Sequence, residues 1–85
     1  MEKAYKITGL KFESQYMIIT IDNLNYRFKL SEISERLSMA SEIERNDFRI
    51  SPSGYGIHWN LIDEDLSING LLQSQKKHHP SQQRT

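Results

Sequence analysis

Alternating apolar and polar positions predict strands in the first third of the chain. Residues 4–12 carry apolar side chains at intervals, and Gly9 interrupts their alternation, which indicates a bulge or bend. Residues 15–22 place apolar groups on both faces, which is typical of a central strand. Residues 26–30 alternate apolar with basic side chains. The Asp and Asn residues of segment 22–25 suit a tight turn, so the second and third strands should form a hairpin.

A helical pattern follows the predicted hairpin. We expect Ser31 to cap a helix over residues 32–39 and Glu32 to favour the dipole of its first turn. Ser41 and Glu44 have the spacing of a capping box, which predicts a second helical turn over residues 42–46. The apolar stripe of the first helix consists of Ile33, Leu37 and Ala40.

Strand patterns return in the second half of the chain. Two further strands are predicted around residues 48–50 and 57–59, joined by a segment rich in Pro and Gly. Residues 63–65 are expected to form a polar turn, and Ser67 to cap a last short helix with a Leu-rich face. The fold class is therefore α+β: a small antiparallel sheet, built from a β-hairpin, a helix and further strands, with a short C-terminal helix.

Composition limits the possible classes of protein. The chain has 85 residues, which suits a single domain that we place at residues 1–75. Residues 76–85 are polar and basic and are predicted to be a disordered tail. The absence of cysteine excludes disulfides, thiolate metal sites and a cysteine nucleophile. The formal net charge of zero provides no general attraction for nucleic acids or anionic lipids.

The start of the chain has no apolar run of the signal-peptide kind, and no stretch approaches the ~20 apolar residues that span a bilayer. We therefore expect a cytoplasmic protein with no membrane association.

A bacterial family named domain of unknown function 2442 resembles residues 7–72. The resemblance is most specific over residues 54–72, where an aromatic-ended strand, an acidic turn and a Leu-rich ending follow one another. One departure is Asn60, since many relatives have Pro after the Trp. The resemblance implies an α+β fold with no known activity. It also implies a paired or toxin–antitoxin-like gene arrangement. Some relatives carry an added helix-turn-helix domain, for which we expect no room after Leu72.

His58 is the residue that most invites a chemical interpretation. With Asp63 or Asp65 it could form an acid–base pair in an enzyme. Strand alternation, however, sends Ile57 and Trp59 to one face and His58 to the other. We expect Trp59 in the core, its indole N–H bonded to a carboxylate or a backbone oxygen, and His58 at a surface that contacts a partner.

The other candidate sites are also charged. Asp63, Glu64 and Asp65 could hold a divalent cation, but they lack the ligand alternation of a calcium loop, and a solvated turn is the favoured interpretation. Arg27 and Lys29, with nearby tyrosines, could stack and neutralise a nucleic acid strand, although no RNA-binding motif is present. No cofactor or metal is predicted.

The favoured hypothesis is a protein-interaction module that binds a neighbouring gene product or a second copy of itself. The alternatives are a regulatory nucleic-acid-binding domain and an enzyme using His58 with Asp63 or Asp65. The residues predicted to contact a partner are His58, Asp63, Glu64, Arg27 and Lys29.

Overall fold

The computed structural model describes residues 4–78, with the side chains of residues 4–75. Its strands form two three-stranded antiparallel sheets, which we name sheet A (β1-β2-β3) and sheet B (β4-β5-β6). The predicted α+β class is confirmed, with two small sheets where the pattern predicted one. The elements in chain order are β1 (Ile7–Glu13), β2 (Tyr16–Ile21), β3 (Leu24–Lys29), α1 (Leu30–Ile33), α2 (Glu35–Ser38), α3 (Glu42–Asn46), β4 (Phe48–Ile50), β5 (Gly56–Trp59), β6 (Glu64–Ser67) and α4 (Ile68–His78).

Sheet A follows the predicted alternation. Strand β2 lies in its centre, and its odd-numbered residues are buried while the even-numbered ones are half-buried on the outer face. The β1–β2 register shifts beside Gly9, which confirms the predicted bulge. Asp22 and Asn23 form the β2–β3 turn with φ angles of 51° and 70°, the left-handed conformation that Asp and Asn tolerate. The predicted hairpin is thus confirmed.

The helical segment differs from its prediction at two points. Leu30, predicted as the end of a strand, opens α1, and the N-cap position is Lys29 without a side-chain cap instead of Ser31. The expected helix over residues 32–39 is broken at Ser34, whose extended backbone separates α1 from α2. The hydroxyl of Ser34 accepts a hydrogen bond from Leu37 N and caps α2. The predicted capping box of Ser41 and α3 is confirmed.

Sheet B corrects the prediction of a polar turn at residues 63–65. Asp63 ends the turn with a φ angle of 52°, whereas Glu64 and Asp65 already pair with β5. Ser67 Oγ accepts from Gly70 N at 2.8 Å, the N-cap bond expected at the start of α4. Helix α4 continues to His78, past the start of the predicted tail, and residues 79–85 lie outside the described residues.

The core lies between the inner faces of the two sheets and the helices. Trp59 is fully buried, and its ring meets those of Phe12 and Phe48 at centroid distances of 6.5 Å and 6.3 Å. Its indole N–H donates to the backbone oxygen of Arg45 at 2.9 Å, which confirms a core position with a backbone partner. The other buried hydrophobic residues are Met17, Ile19, Ile21, Phe28, Leu30, Leu37, Ile57, Ile68 and Leu71.

Two features hold the sheets and helices together: the hydrogen bonds of Arg45 and the close approach of Gly54 to the N-terminal segment. The guanidinium of Arg45 donates to the carbonyl oxygens of Leu37, Ser38 and Ser14 at 2.9–3.0 Å, joining α3 to α2 and to the β1–β2 turn. In the connection between β4 and β5, Gly54 has a φ of 70°, and a Cβ there would lie 1.9 Å from the carbonyl oxygen of Tyr5.

Among the described residues, no helix has the length and apolar character needed to cross a membrane.

Candidate functional site

The residues predicted to contact a partner lie in three separate places. His58 is on the outer face of sheet B, Asp63 ends the turn between β5 and β6 and Glu64 begins β6, and Arg27 and Lys29 are on β3 of sheet A. The structure therefore does not bring them together into one site, and each place has its own chemistry.

The imidazole of His58 is held between two oxygen atoms. Its Nδ1 lies 2.7 Å from Asp65 Oδ1, and its Nε2 lies 3.0 Å from Asn60 Oδ1. His58 and Asp65 are opposite each other in the β5–β6 register, which explains the contact. Asp63, the other acid considered for an acid–base pair, contributes only a distant charge.

The surroundings of His58 favour a positive imidazolium. The hydrogen bond to the Asp65 carboxylate raises the pKa of His58 above its ordinary value of 6.5, and the bond to Asn60 adds to the rise. When both ring nitrogens carry protons, both donate to an oxygen, so neither is left as a base for a substrate. The geometry therefore suits a positive charge held in place better than general base catalysis.

Sequence reasoning missed Arg49, which completes a row of charges across sheet B. Arg49 pairs with His58 in the β4–β5 register, and His58 pairs with Asp65 in the β5–β6 register. These three residues line a concave pocket with a volume of about 410 Å³, together with Ser51, Pro52 and Tyr55 of the β4–β5 loop. We name this pocket the sheet B cleft. Arg49 could have been found only from the pairing of β4 with β5, and the pattern within a single strand does not reveal which strands pair.

Glu64 is turned inward, toward the helices. It is half-buried, and its Oε2 accepts a hydrogen bond from the buried hydroxyl of Ser34 at 2.5 Å. Because the same hydroxyl caps α2, the Glu64 carboxylate ties sheet B to the break between α1 and α2. This position gives Glu64 an internal structural contact.

Asp63 occupies an exposed turn that α2 holds in place. Arg36 Nη1 donates to the Asp63 carbonyl oxygen at 2.6 Å, while the carboxylate faces solvent. Within the described residues, no group of three or more His, Asp or Glu side chains is arranged to hold a metal ion. The acidic segment thus performs different tasks at successive residues.

Arg27 and Lys29 lie on the outer face of β3, at the edge of sheet A. The Arg27 guanidinium carbon stands 4.1 Å from the centroid of the Tyr16 ring, a cation–π contact. Leu30 N donates to Gln15 O, so residues 15 and 30 form a hydrogen-bonded pair of the β2–β3 ladder. Hydrogen-bonded and non-hydrogen-bonded pairs alternate from that point along the two strands. By that alternation, the N–H and C=O groups of Asn25, Arg27 and Lys29 point away from β2. Within residues 4–78, no hydrogen bond to these outward groups is recorded.

Comparisons with other proteins agree with this fold. A family model described as "Protein of unknown function (DUF2442)" matches residues 7–77, most of the chain. A crystal structure of a protein of unknown function from Rhodospirillum rubrum ATCC 11170 is similar, with a TM-score of 0.68 and 26% sequence identity. The similarity covers 82% of this chain and 87% of that protein. No curated protein matches the chain.

Proposed function

We propose that this chain, which belongs to the DUF2442 family of proteins of unknown function, is a protein-interaction module that pairs the edge of β3 with an extended acidic segment of a partner. The observation that supports the proposal is that β3 is an edge strand whose residues 25, 27 and 29 direct their backbone N–H and C=O groups away from β2. Two of these residues, Arg27 and Lys29, also carry basic side chains on the outer face of the sheet. Strand addition uses such backbone groups for affinity and the alternate side chains for specificity. The natural partner that we propose is the product of a neighbouring bacterial gene, as the family resemblance implies.

The charges near β3 select the kind of partner. Lys11 lies on β1, on the same face of sheet A, and its Nζ forms an ion pair with Glu13 Oε2 at 3.3 Å. Arg27 and Lys29 are exposed and have no ion pair among the described residues, and they share a small concave surface with the acidic Glu32. The β3 edge therefore offers two cations to a partner. An antiparallel partner strand would place alternate side chains beside them. Two acidic residues spaced two apart would therefore meet both cations.

The same charges oppose self-association through this edge. In the two-fold antiparallel register that pairs all three outward-pointing residues of β3 with a second copy, Arg27 faces Arg27 of that copy and Asn25 faces Lys29. Like charges that face each other across a strand pair are destabilising, and charged side chains commonly protect edges from aggregation. A different chain with acidic side chains removes this repulsion, so we favour a heterologous partner over a homo-oligomer.

A peptide binding experiment tests the edge directly. The probe is a fluorescent peptide of about eight residues that alternates Glu with Val, long enough to cover an average strand. We expect saturable anisotropy changes, and the double variant Arg27→Glu/Lys29→Glu should weaken binding about tenfold or more while gaining affinity for a peptide with Lys in place of Glu. The matched control is Lys6→Glu/Lys11→Glu, which also reverses two exposed cations but lies at the opposite edge of sheet A.

Blocking the outward backbone separates strand addition from simple charge attraction. Asn25→Pro removes one outward N–H without removing a bond to β2, and Asn25→Ala controls for the lost side-chain bond between Asn25 and Thr20. We expect only the Pro variant to lose the peptide. Equal binding by both variants, or no binding of the acidic peptide at low salt, would contradict the proposal.

A salt titration with single-stranded RNA provides the competing outcome. Tight RNA binding that falls steeply with salt and disappears in Arg27→Glu/Lys29→Glu, without acidic peptide binding, would favour the regulatory nucleic-acid hypothesis instead. Co-expression with the neighbouring gene product then tests the natural partner. The two proteins should elute together during gel filtration, and the double variant should elute alone.

A further inference from the structure

The sheet B cleft is built by hydrogen-bonded parts of the fold. Ser51 Oγ accepts hydrogen bonds from the backbone N–H groups of Tyr55 and Gly56 at 3.0 Å and 3.1 Å, which fixes the loop at its side. The loop is also tied to the N-terminal segment by the bond from Tyr5 N to Ser53 O at 3.1 Å. Its floor is the row formed by Arg49, His58 and Asp65. The volume of about 410 Å³ is in the range of small-molecule sites.

Arg49 is the charged residue of the cleft whose side chain has no partner among the described residues. His58 and Asp65 satisfy each other at 2.7 Å, so their charges cancel locally when the imidazole is protonated. Arg49 is exposed, and among the side chains of residues 4–75 its guanidinium has no hydrogen bond or ion pair. A guanidinium offers two parallel N–H donors that match the two oxygens of a carboxylate. A single anionic group is therefore the complement of this cleft.

The rest of the wall is largely apolar. Tyr55 is 50% exposed at the rim although it is a large aromatic residue, and Pro52 lies in the same loop. An exposed aromatic side chain next to an arginine is a common combination in recognition sites, since the ring packs against an apolar body while the cation binds the charge. This arrangement favours a ligand with a carboxylate at one end and an apolar or aromatic group at the other.

We propose that the sheet B cleft binds a monocarboxylate with an apolar body, through Arg49 at the charged end and Tyr55 at the apolar end. Such a carboxylate can belong to a free small molecule or to the C-terminus of a peptide. Both share the chemistry of the site. This proposal concerns the opposite sheet from the β3 edge, so either proposal can fail without the other.

Benzoate and a peptide ending in Phe are suitable probes. Their binding to the full chain can be monitored by two-dimensional NMR. We expect saturable shifts of the backbone signals of residues 49–58 with benzoate, and no saturable shifts with benzyl alcohol, which lacks the charge. Arg49→Gln should weaken benzoate binding about tenfold or more, and Tyr55→Ala should weaken it by a smaller factor. Lys11→Gln, which removes an exposed cation from sheet A outside both proposed sites, is the matched control and should leave binding unchanged.

The outcomes separate the two sources of the carboxylate. Tighter binding of the peptide with a free C-terminus than of its amidated form and of benzoate would identify a peptide terminus as the ligand. Tighter binding of benzoate would identify a small molecule. Absence of saturation with both probes, equal binding of benzyl alcohol, or full binding by a folded Arg49→Gln variant would overturn the proposal. Native signal dispersion in the NMR spectra of each variant confirms its fold.

Discussion

Replacing Ser34 with Ala should destabilise the protein although the change removes only one oxygen atom. The Ser34 hydroxyl accepts from Leu37 N at 3.1 Å and donates to Glu64 Oε2 at 2.5 Å, and Ser34 itself is 7% exposed. Loss of an N-cap hydroxyl costs about 1 kcal/mol. The Glu64 oxygen loses its partner in a half-buried position, which adds a cost near the lower end of the range for an unsatisfied polar group, about 1–2 kcal/mol.

The sum is about 2–3 kcal/mol of unfolding free energy, which corresponds to a lowering of the melting temperature by roughly 10–20 °C in a domain of this size. Urea denaturation followed by Trp59 fluorescence measures it. The matched control is Ser38→Ala on the same helix, whose hydroxyl donates to Glu35 O at an exposed site, and we expect a cost below about 0.5 kcal/mol.

A double-mutant cycle between Ser34→Ala and Glu64→Ala tests the assigned contact. We expect a coupling energy of about 1 kcal/mol or more, because the two side chains touch. A Ser34→Ala variant as stable as the Ser38→Ala control, or a coupling energy near zero, would refute the reasoning. In that case Glu64 would be available for the partner contact that the sequence suggested.

Three further predictions concern single residues. Gly54→Ala should unfold the chain or cost more than about 2 kcal/mol, measured by urea denaturation, because its Cβ would collide with the carbonyl of Tyr5 and the φ of 70° disfavours a side chain. Asp65→Asn should lower the NMR-measured pKa of His58 toward 6.5, because the Asp65 bond is the main cause of its rise. Because the pKa of His58 is raised in the folded state, its protonation stabilises the fold fully below about pH 6.5, and this stabilisation is lost as the pH rises through the folded pKa. The stability advantage of the wild type over Asp65→Asn should therefore disappear between about pH 5.5 and pH 8.5. Trp59→Phe should cost about 1–3 kcal/mol in thermal unfolding, since it leaves a void and the Arg45 carbonyl unpaired.

Much of the fold could be predicted from local patterns. Alternation identified β2 as a central strand and placed Ile57 and Trp59 on the buried side of β5, because a period of two is fixed by strand geometry. The turn at Asp22 and Asn23 was also predictable, because these residue types tolerate the left-handed φ angles observed there.

The errors arose where a distant residue decides the local structure. Ser34 interrupts an apolar stripe of helical spacing, and its cap and its bond to Glu64 favour the break over a continuous helix. The acidic segment was predicted as one turn because its composition is polar throughout. Pairing with β5 instead draws Glu64 and Asp65 into a strand, with Glu64 inward and Asp65 beside His58.

The candidate site was only partly accessible from the sequence for the same reason. The pattern placed His58 on the outer face of its strand, but nothing in it indicated that Asp65 is the acid in contact or that Arg49 lies on the opposite side. Arg27 and Lys29 were identified from the alternation of β3. That this strand lies at an edge follows only from the order of the strands in sheet A.

The division of the chain into two meanders has a kinetic consequence. Sheet A uses only residues 7–29 and sheet B only residues 48–67, and within each sheet every strand pairs with the strand next to it in sequence. Short loops close quickly, and each sheet can therefore form without waiting for the other. We expect the slower event to be their docking, which brings Phe12 of the first meander against Trp59 of the second. The fluorescence of the single tryptophan thus reports the moment at which two separately formed halves become one protein.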